Sequence, residues 1–99
     1  MMIQLAKKPD TKVNVDQEDV ALLQSLAAIH FTFGRIERAI NLLYLALWIL
    51  PRDPETMRLM AIFCYRDGRF KYAASFVRAY ELTGAPLPHD MTIIKQRCI

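Results

Sequence analysis

Two histidines and two cysteines are the residues whose side chains could act as nucleophiles, general bases or metal ligands: His30, His89, Cys64 and Cys98. No serine, aspartate or cysteine is placed to complete a triad with either histidine. The cysteines lack Cys-x-x-Cys spacing, and no Cys/His cluster suggests zinc. Cys64 is expected to fill a packing position, and His30 to pack beside Leu26. We therefore expect no enzyme activity, no cofactor and no metal.

Charge and motifs also argue against nucleic-acid and nucleotide partners. No glycine-rich phosphate-binding motif occurs. The net charge of +3 is mild for a chain of 99 residues, and a nucleic-acid surface needs basic residues clustered on one face. The basic residues that lie close in sequence are diluted by acidic neighbours and are expected to form a solvated face: Arg66, Arg69, Lys71 and Arg78.

The composition favours a small protein with a protein partner. Hydrophobic residues make up 54% of the sequence, which is more apolar surface than so short a domain can bury. The longest apolar run, residues 42–50, is far shorter than the roughly 20 residues that span a bilayer. The N-terminus has no basic start followed by a long apolar run. With only two cysteines, we expect a reduced, cytoplasmic setting and no membrane insertion.

Glycine and proline divide the chain into helices. We expect a flexible arm over residues 1–16, ending at an Asp16 helix cap, and a helical domain over 17–99. Gly34 separates the first two helices, and Pro51 ends the second. A third helix from about residue 54 and a fourth ending near 83 are separated by Gly68. A capping helix follows at about 89–98, and no segment alternates with period two, so the predicted fold is all-α.

Four pairs of identical residues share one common offset, which indicates a repeat: Gly34 and Gly68, Arg35 and Arg69, Ala39 and Ala73, Ala27 and Ala61. This offset matches the period of about 34 residues, in helix–turn–helix units, that is typical of the tetratricopeptide repeat, or TPR. The first repeat covers about 20–53, ending after Pro51, and the second about 54–87. The sequence therefore predicts TPR-like antiparallel helix pairs in a right-handed superhelical stack.

The repeat pattern predicts a concave groove from the exposed side of each first helix. Its predicted lining residues are Gln24, Ala28, Phe31, Thr32, Arg58, Ile62, Tyr65, Arg66, Thr92 and Gln96. Aromatic, aliphatic and guanidinium groups together suit a peptide or helix that carries apolar anchors and an acid. Alternatively, Phe31 and Tyr65 only pack the repeat.

The second helix of the first repeat is apolar on nearly every face, which predicts burial on all sides. Leu42, Leu45 and Trp48 fall on the side that normally faces solvent. We expect them to form a second apolar interface, with a second subunit or another copy of the chain. The alternative is an N-terminal arm that folds back over them through Ile3, Leu5 and Val13.

The segment Gly34-Arg35-Ile36-Glu37-Arg38-Ala39-Ile40-Asn41-Leu42-Leu43, followed by Ala46-Leu47 and Pro51, resembles the small TPR chaperones of bacterial type III secretion systems, most closely the SctY (YscY-type) chaperones. The resemblance covers about residues 20–86. It implies a cytoplasmic chaperone that keeps an aggregation-prone secretion component soluble before export. The client's amphipathic helix would bind with Phe31, Ile62 and Tyr65 as anchors, and Arg58 and Arg66 would pair with its acids.

A second hypothesis is a TPR structural adaptor that dimerises through Leu42, Leu45 and Trp48, or bridges partners, without a chaperone role. The state of association in solution separates the two hypotheses.

Overall fold

The computed structural model describes residues 9–99, with side chains described from residue 16 onward. The first helix, α1 (Pro9–Thr32), begins before the predicted Asp16 cap. Residues 9–16 thus extend α1 and do not belong to an arm. Proline is favoured at a first helical position, and neither glycine nor a further proline interrupts the chain between Pro9 and Asp16. Residues 1–8 of the predicted arm lie outside the described residues.

Four further helices follow: α2 (Ile36–Ile49), α3 (Pro54–Arg66), α4 (Phe70–Glu81) and α5 (His89–Cys98). Residues 9–99 contain no strand, so this part of the chain is all-α, as the sequence predicts. The ends of α2 to α5 lie close to the predicted ends. Asp53 caps α3, because its side chain accepts a hydrogen bond from the Thr56 N–H at 3.0 Å while Pro54 occupies the first turn.

The same turn occurs twice, between α1 and α2 and between α3 and α4. Gly34 has φ of 79° and Gly68 has φ of 80°, a left-handed conformation that strains any residue with a Cβ. In both turns the N–H of the following arginine donates at 2.8 Å to a carbonyl oxygen in the last turn of the preceding helix, that of His30 or Cys64. Each turn reverses the chain, so that α1 packs along α2 and α3 packs along α4. The two halves are therefore closely similar helical hairpins.

Alanines stand where the two helices of each hairpin approach closely. The alanines with no exposed surface are Ala27, Ala39, Ala46, Ala61 and Ala73. Ala39 and Ala73 thus have the buried packing positions that the repeat predicts for them. Leu43, Met60, Val77 and Met91 surround them as fully buried larger side chains. Pro51 is exposed in the turn after α2.

The second hairpin stacks on the first, and α5 packs against the second hairpin. α3 contacts both α1 and α2, and α5 contacts both α3 and α4. Met91 and Ile94 of α5 are buried in the same core as α3 and α4. The last helix therefore covers apolar surface that the second hairpin would otherwise expose.

The structure does not bury α2 on all sides. Its inner face is buried through Ala39, Leu43 and Ala46, but Leu45 and Trp48 are exposed. Among the described residues nothing covers this outer side. No helix within residues 9–99 combines the length and the apolar character that crossing a bilayer requires.

Candidate protein-binding surface

The four residues with potential chemistry lie on three different helices, His30 on α1, Cys64 on α3, and His89 and Cys98 on α5. Cys64 is buried, and burial raises the pKa of its thiol, while Arg69 opposes this rise and Asp67 adds to it. Cys98 is half-buried near the C-terminus, and His89 is exposed at the start of α5. Across the part of the chain that the structure describes, no group of three His, Cys, Asp or Glu side chains could hold a metal ion.

A shallow pocket of about 230 Å³ lies between α3 and α5. It brings together three of the predicted groove residues, Ile62, Tyr65 and Arg66. α5 contributes the rest of the lining with Asp90, Ile93 and Ile94. The pocket therefore combines aliphatic walls, one aromatic ring, one guanidinium group and one carboxylate.

The carboxylate of Asp90 is only half satisfied. Its Oδ2 atom accepts a hydrogen bond from Arg58 Nη1 at 2.5 Å. Its Oδ1 atom is buried and has no hydrogen-bond partner among the described side chains. A buried acceptor without a donor costs free energy.

Arg58 is already paired within the chain. Its Nε and Nη2 atoms donate to the two carboxylate oxygens of Glu55, both at 2.8 Å, and its Nη1 atom donates to Asp90. These hydrogen bonds and charges raise the pKa of the guanidinium group despite its partial burial. Arg58 therefore links α3 to α5 and is not free to pair with a client acid, which differs from the role that the resemblance implies for it.

Arg66, unlike Arg58, has no carboxylate partner among residues 16–99. Its guanidinium carbon lies 5.9 Å from the centre of the Phe31 ring, a distance that suits a cation–π contact. Phe31 in turn stacks on the buried Phe63 ring, with 4.1 Å between the ring centres and an angle of 2° between the planes. Phe31 thus packs on the core through Phe63, while Arg66 lies over its ring.

Tyr65 is half-buried and is held from two sides. Its hydroxyl accepts a hydrogen bond from Arg97 Nη1 at 2.9 Å. Its ring lies 5.6 Å from the Phe70 ring in a tilted arrangement. Tyr65 therefore forms a fixed wall of the pocket and joins α3 to the end of α5.

The predicted groove residues of α1 lie apart from this pocket. The Gln24 amide donates to Asp53 Oδ2 and to Thr56 Oγ1, both at 2.9 Å, so it ties α1 to the start of α3. Ala28 and Thr32 are exposed, and the Thr32 hydroxyl donates to the Ala28 carbonyl oxygen. Gln24 is thus engaged within the fold, whereas Ala28 and Thr32 stay on the exposed surface of α1.

The predicted groove residues of α5 are not the ones that form this pocket. Thr92 and Gln96 are absent from its lining. The repeat predicts Thr92 and Gln96 because they lie one full repeat after Arg58 and Ile62. In the structure, however, the hydrogen bonds between stacked helices join residues that are 32 positions apart: Gln24 and Thr56, Arg58 and Asp90, and Tyr65 and Arg97. The repeat alone does not predict this shorter spacing, so it does not lead from Arg58 to Asp90 or from Tyr65 to Arg97.

Two of the three residues of the predicted second apolar interface are exposed. Trp48 is 81% exposed and Leu45 is 46% exposed, whereas Leu42 is half-buried against the core. Leu42 and Leu45 line a shallow pocket of about 350 Å³ with His30 of α1. The side chains of the arm that could cover them, those of Ile3, Leu5 and Val13, lie outside the described ones.

A larger cavity of about 580 Å³ opens beside the start of α3 and the end of α4, lined by residues that include Arg52, Met57 and Leu82. It shares no lining residue with the pocket between α3 and α5. Its lining contains a single charged side chain, so we assign it no ligand.

No protein-family model matches the chain, and neither a curated protein nor a solved structure matches it. The geometry of the described residues therefore carries the functional argument.

Proposed function

We propose that the chain is a TPR chaperone that binds a helical protein client, a type III secretion component, and holds it soluble in the bacterial cytoplasm before export. Two closely similar hairpins, with matching glycine turns one repeat apart, support the repeat. The resemblance of residues 34–51 to the secretion chaperones supports the class of client.

The pocket between α3 and α5 is the observation that carries this proposal. It offers apolar walls at Ile62 and Ile93, a guanidinium group at Arg66, and the partly exposed carboxylate of Asp90. An amphipathic helix presents complementary groups, namely an aliphatic anchor, an acid and a donor. The anchor supplies most of the affinity because it removes apolar surface from water.

The charges of the pocket would fix the orientation of the client more than its affinity. Arg66 is exposed, and an exposed ion pair contributes roughly 1 kcal/mol or less. Pairing a client acid with Arg66 and a client donor with Asp90 sets the direction in which the helix lies. A client held in this way cannot present the same apolar face to other copies of itself.

The alternative function is a structural adaptor that dimerises or bridges partners through the outer side of α2. The exposure of Leu45 and Trp48 favours it. This alternative needs no client in the pocket between α3 and α5, so substitutions there separate the two functions.

The test is co-purification of the tagged full-length chain from the organism that encodes it, with bound proteins identified by mass spectrometry. Arg66→Glu and Tyr65→Ala are the pocket variants. Arg78→Glu and Tyr72→Ala are matched controls, because both residues are exposed on α4 and neither lines the pocket. We expect a small helical secretion component in a fixed ratio, lost from the pocket variants and retained by the controls.

Circular dichroism of each variant checks that the fold persists. Equal capture by Arg66→Glu and by Arg78→Glu would place the client elsewhere. Capture of no secretion component by any form, together with a dimer that Trp48→Ala dissociates, would favour the adaptor.

A further inference from the structure

The outer face of α1 carries a continuous stripe of large apolar side chains that the described chain leaves uncovered. Leu22, Leu26, Ile29 and Phe33 are 59%, 38%, 52% and 70% exposed. Their alternating spacing of four and three positions places them on one face of the helix. Single exposed apolar residues are ordinary on a protein surface, but a contiguous patch of this kind indicates an interface.

The two ends of this α1 stripe carry opposite charges. Glu18 and Asp19 precede Leu22 by one turn, Arg35 follows Phe33, and Arg38 lies on α2 beside His30. The Arg35 guanidinium carbon lies 5.8 Å from the centre of the Phe33 ring, so this charge borders the stripe. None of these four charged residues forms an ion pair with another side chain of residues 16–99.

The far end of the stripe, with Phe33 and Arg35, presents apolar surface and positive charge to an occupant.

We propose that this occupant is α1 of a second copy of the chain, packed antiparallel across a two-fold axis near the middle of the stripe. In this arrangement Leu26 faces Ile29 of the second copy, and Leu22 faces Phe33. Glu18 and Asp19 of each copy lie beside Arg35 of the other, and Arg38 lies nearer the middle of the interface. A two-fold interface repeats each contact twice, so a stripe with opposite charges at its ends complements itself.

The α1 stripe continues into the outer side of α2, which gives the interface additional area. His30 of α1 lines a shallow pocket together with Arg38, Leu42 and Leu45 of α2. Burial of this border region adds apolar area beside the stripe. The face is separate from the pocket between α3 and α5, so both copies keep that pocket open.

The first measurement is sedimentation velocity of the full chain over a range of concentrations, for the native sequence and for Ile29→Glu. A carboxylate at position 29 would be buried at the centre of the interface, twice per dimer, and we expect dimerisation to weaken by roughly tenfold or more. Tyr72→Glu on α4 is the matched control, since Tyr72 is 58% exposed and lies off the stripe. A native chain that stays monomeric, or a dimer that Ile29→Glu leaves intact, overturns the proposal.

Charge reversal tests the antiparallel arrangement. The double variant Glu18→Lys/Asp19→Lys places like charges beside the arginines of the second copy and should weaken the dimer. Adding Arg35→Glu/Arg38→Glu to the same chain exchanges the two ends and should restore the dimer. If the combined variant does not dimerise, the antiparallel packing of α1 is contradicted. If the native chain is monomeric and Ile29→Glu captures less client, the stripe binds the client and not a second copy.

Discussion

The side-chain amide of Gln24 donates a hydrogen bond of 2.9 Å to the hydroxyl of Thr56, a fully buried residue 32 positions further along the chain. The Thr56 hydroxyl in turn donates to Asp53 Oδ2 at 2.7 Å. This one carboxylate oxygen also accepts from the Thr56 N–H and from Gln24. The cap of α3 is therefore also the polar contact that joins the first helix of one hairpin to the first helix of the next.

The substitution Asp53→Ala should lower the free energy of unfolding by about 1 to 3 kcal/mol, because it removes a helix cap and leaves the buried Thr56 hydroxyl without its acceptor. The cap alone is typically worth about 1 kcal/mol. Urea denaturation followed by circular dichroism measures the loss. Asp53→Asn is the control, because asparagine also caps helices, and an equal loss in both variants would show that charge and not the cap matters.

The two glycine turns should respond alike to substitution. Gly34→Ala and Gly68→Ala should each cost about 1 to 2 kcal/mol, because their left-handed φ is strained for alanine. A Cβ at either position would meet no atom within 4 Å, so the cost is conformational and not steric. Replacement with asparagine, which tolerates this conformation, should cost less. Clearly different costs at the two sites would contradict the equivalence of the hairpins.

The features that the sequence predicts correctly are local ones. Gly34, Gly68 and Pro51 end helices by their own backbone restrictions, and the offset that the repeated residues share marks equivalent positions. The predicted start of α1 is too late. Asp16 can cap a helix, but no residue between Pro9 and Asp16 prevents the helix from beginning earlier. A favourable cap residue alone does not begin a helix.

The features that the sequence does not reveal depend on how helices stack. Asp90 and Arg97 reach α3 because neighbouring first helices are offset, so these contacts join residues that are 32 positions apart, slightly less than one repeat. Leu22 and Ile29 follow the same helical spacing as core residues. Periodicity shows which residues share a face, but only the packing shows that this face is exposed.

The two thiols should differ sharply in reactivity. Cys98 is half-buried near the end of the chain, whereas Cys64 is 2% exposed and the pKa of its thiol is raised by burial. An aromatic disulfide reagent at neutral pH should therefore label one thiol per chain at first and the second only in denaturant. Cys98→Ser should abolish the fast phase. A fast phase that survives in this variant would mean that Cys64 is accessible.

Stability should fall as the solution becomes alkaline, in part through Cys64. Because burial raises its pKa in the folded chain, the folded state disfavours the thiolate. The contribution of Cys64 to the free energy of unfolding is complete below the ordinary pKa of a thiol. It is lost as the pH rises through the raised pKa that Cys64 has in the folded chain. Tyr44, whose pKa is also raised chiefly by burial, acts in the same direction at higher pH. Urea midpoints at neutral and alkaline pH should diverge less in Cys64→Ala than in the native chain.

Phe31 should behave as a core residue when it is removed. Its ring stacks on Phe63, which is 4% exposed, so Phe31→Ala opens space against the core and breaks an aromatic pair. We expect a loss of about 2 to 4 kcal/mol in the free energy of unfolding. Phe33→Ala in dilute solution is the control, since that ring is exposed and its removal should change stability by roughly 0.5 kcal/mol or less.

This difference decides how the groove can be probed. If Phe31→Ala destabilises the chain as expected, its effect on client capture reports folding as well as contact. Phe31→Leu, which keeps most of the apolar volume, is then the informative variant, because it removes the ring under Arg66 while retaining much of the packing on Phe63. Unchanged stability in Phe31→Ala would show instead that the ring is a surface anchor and that the stacked pair contributes little to the fold.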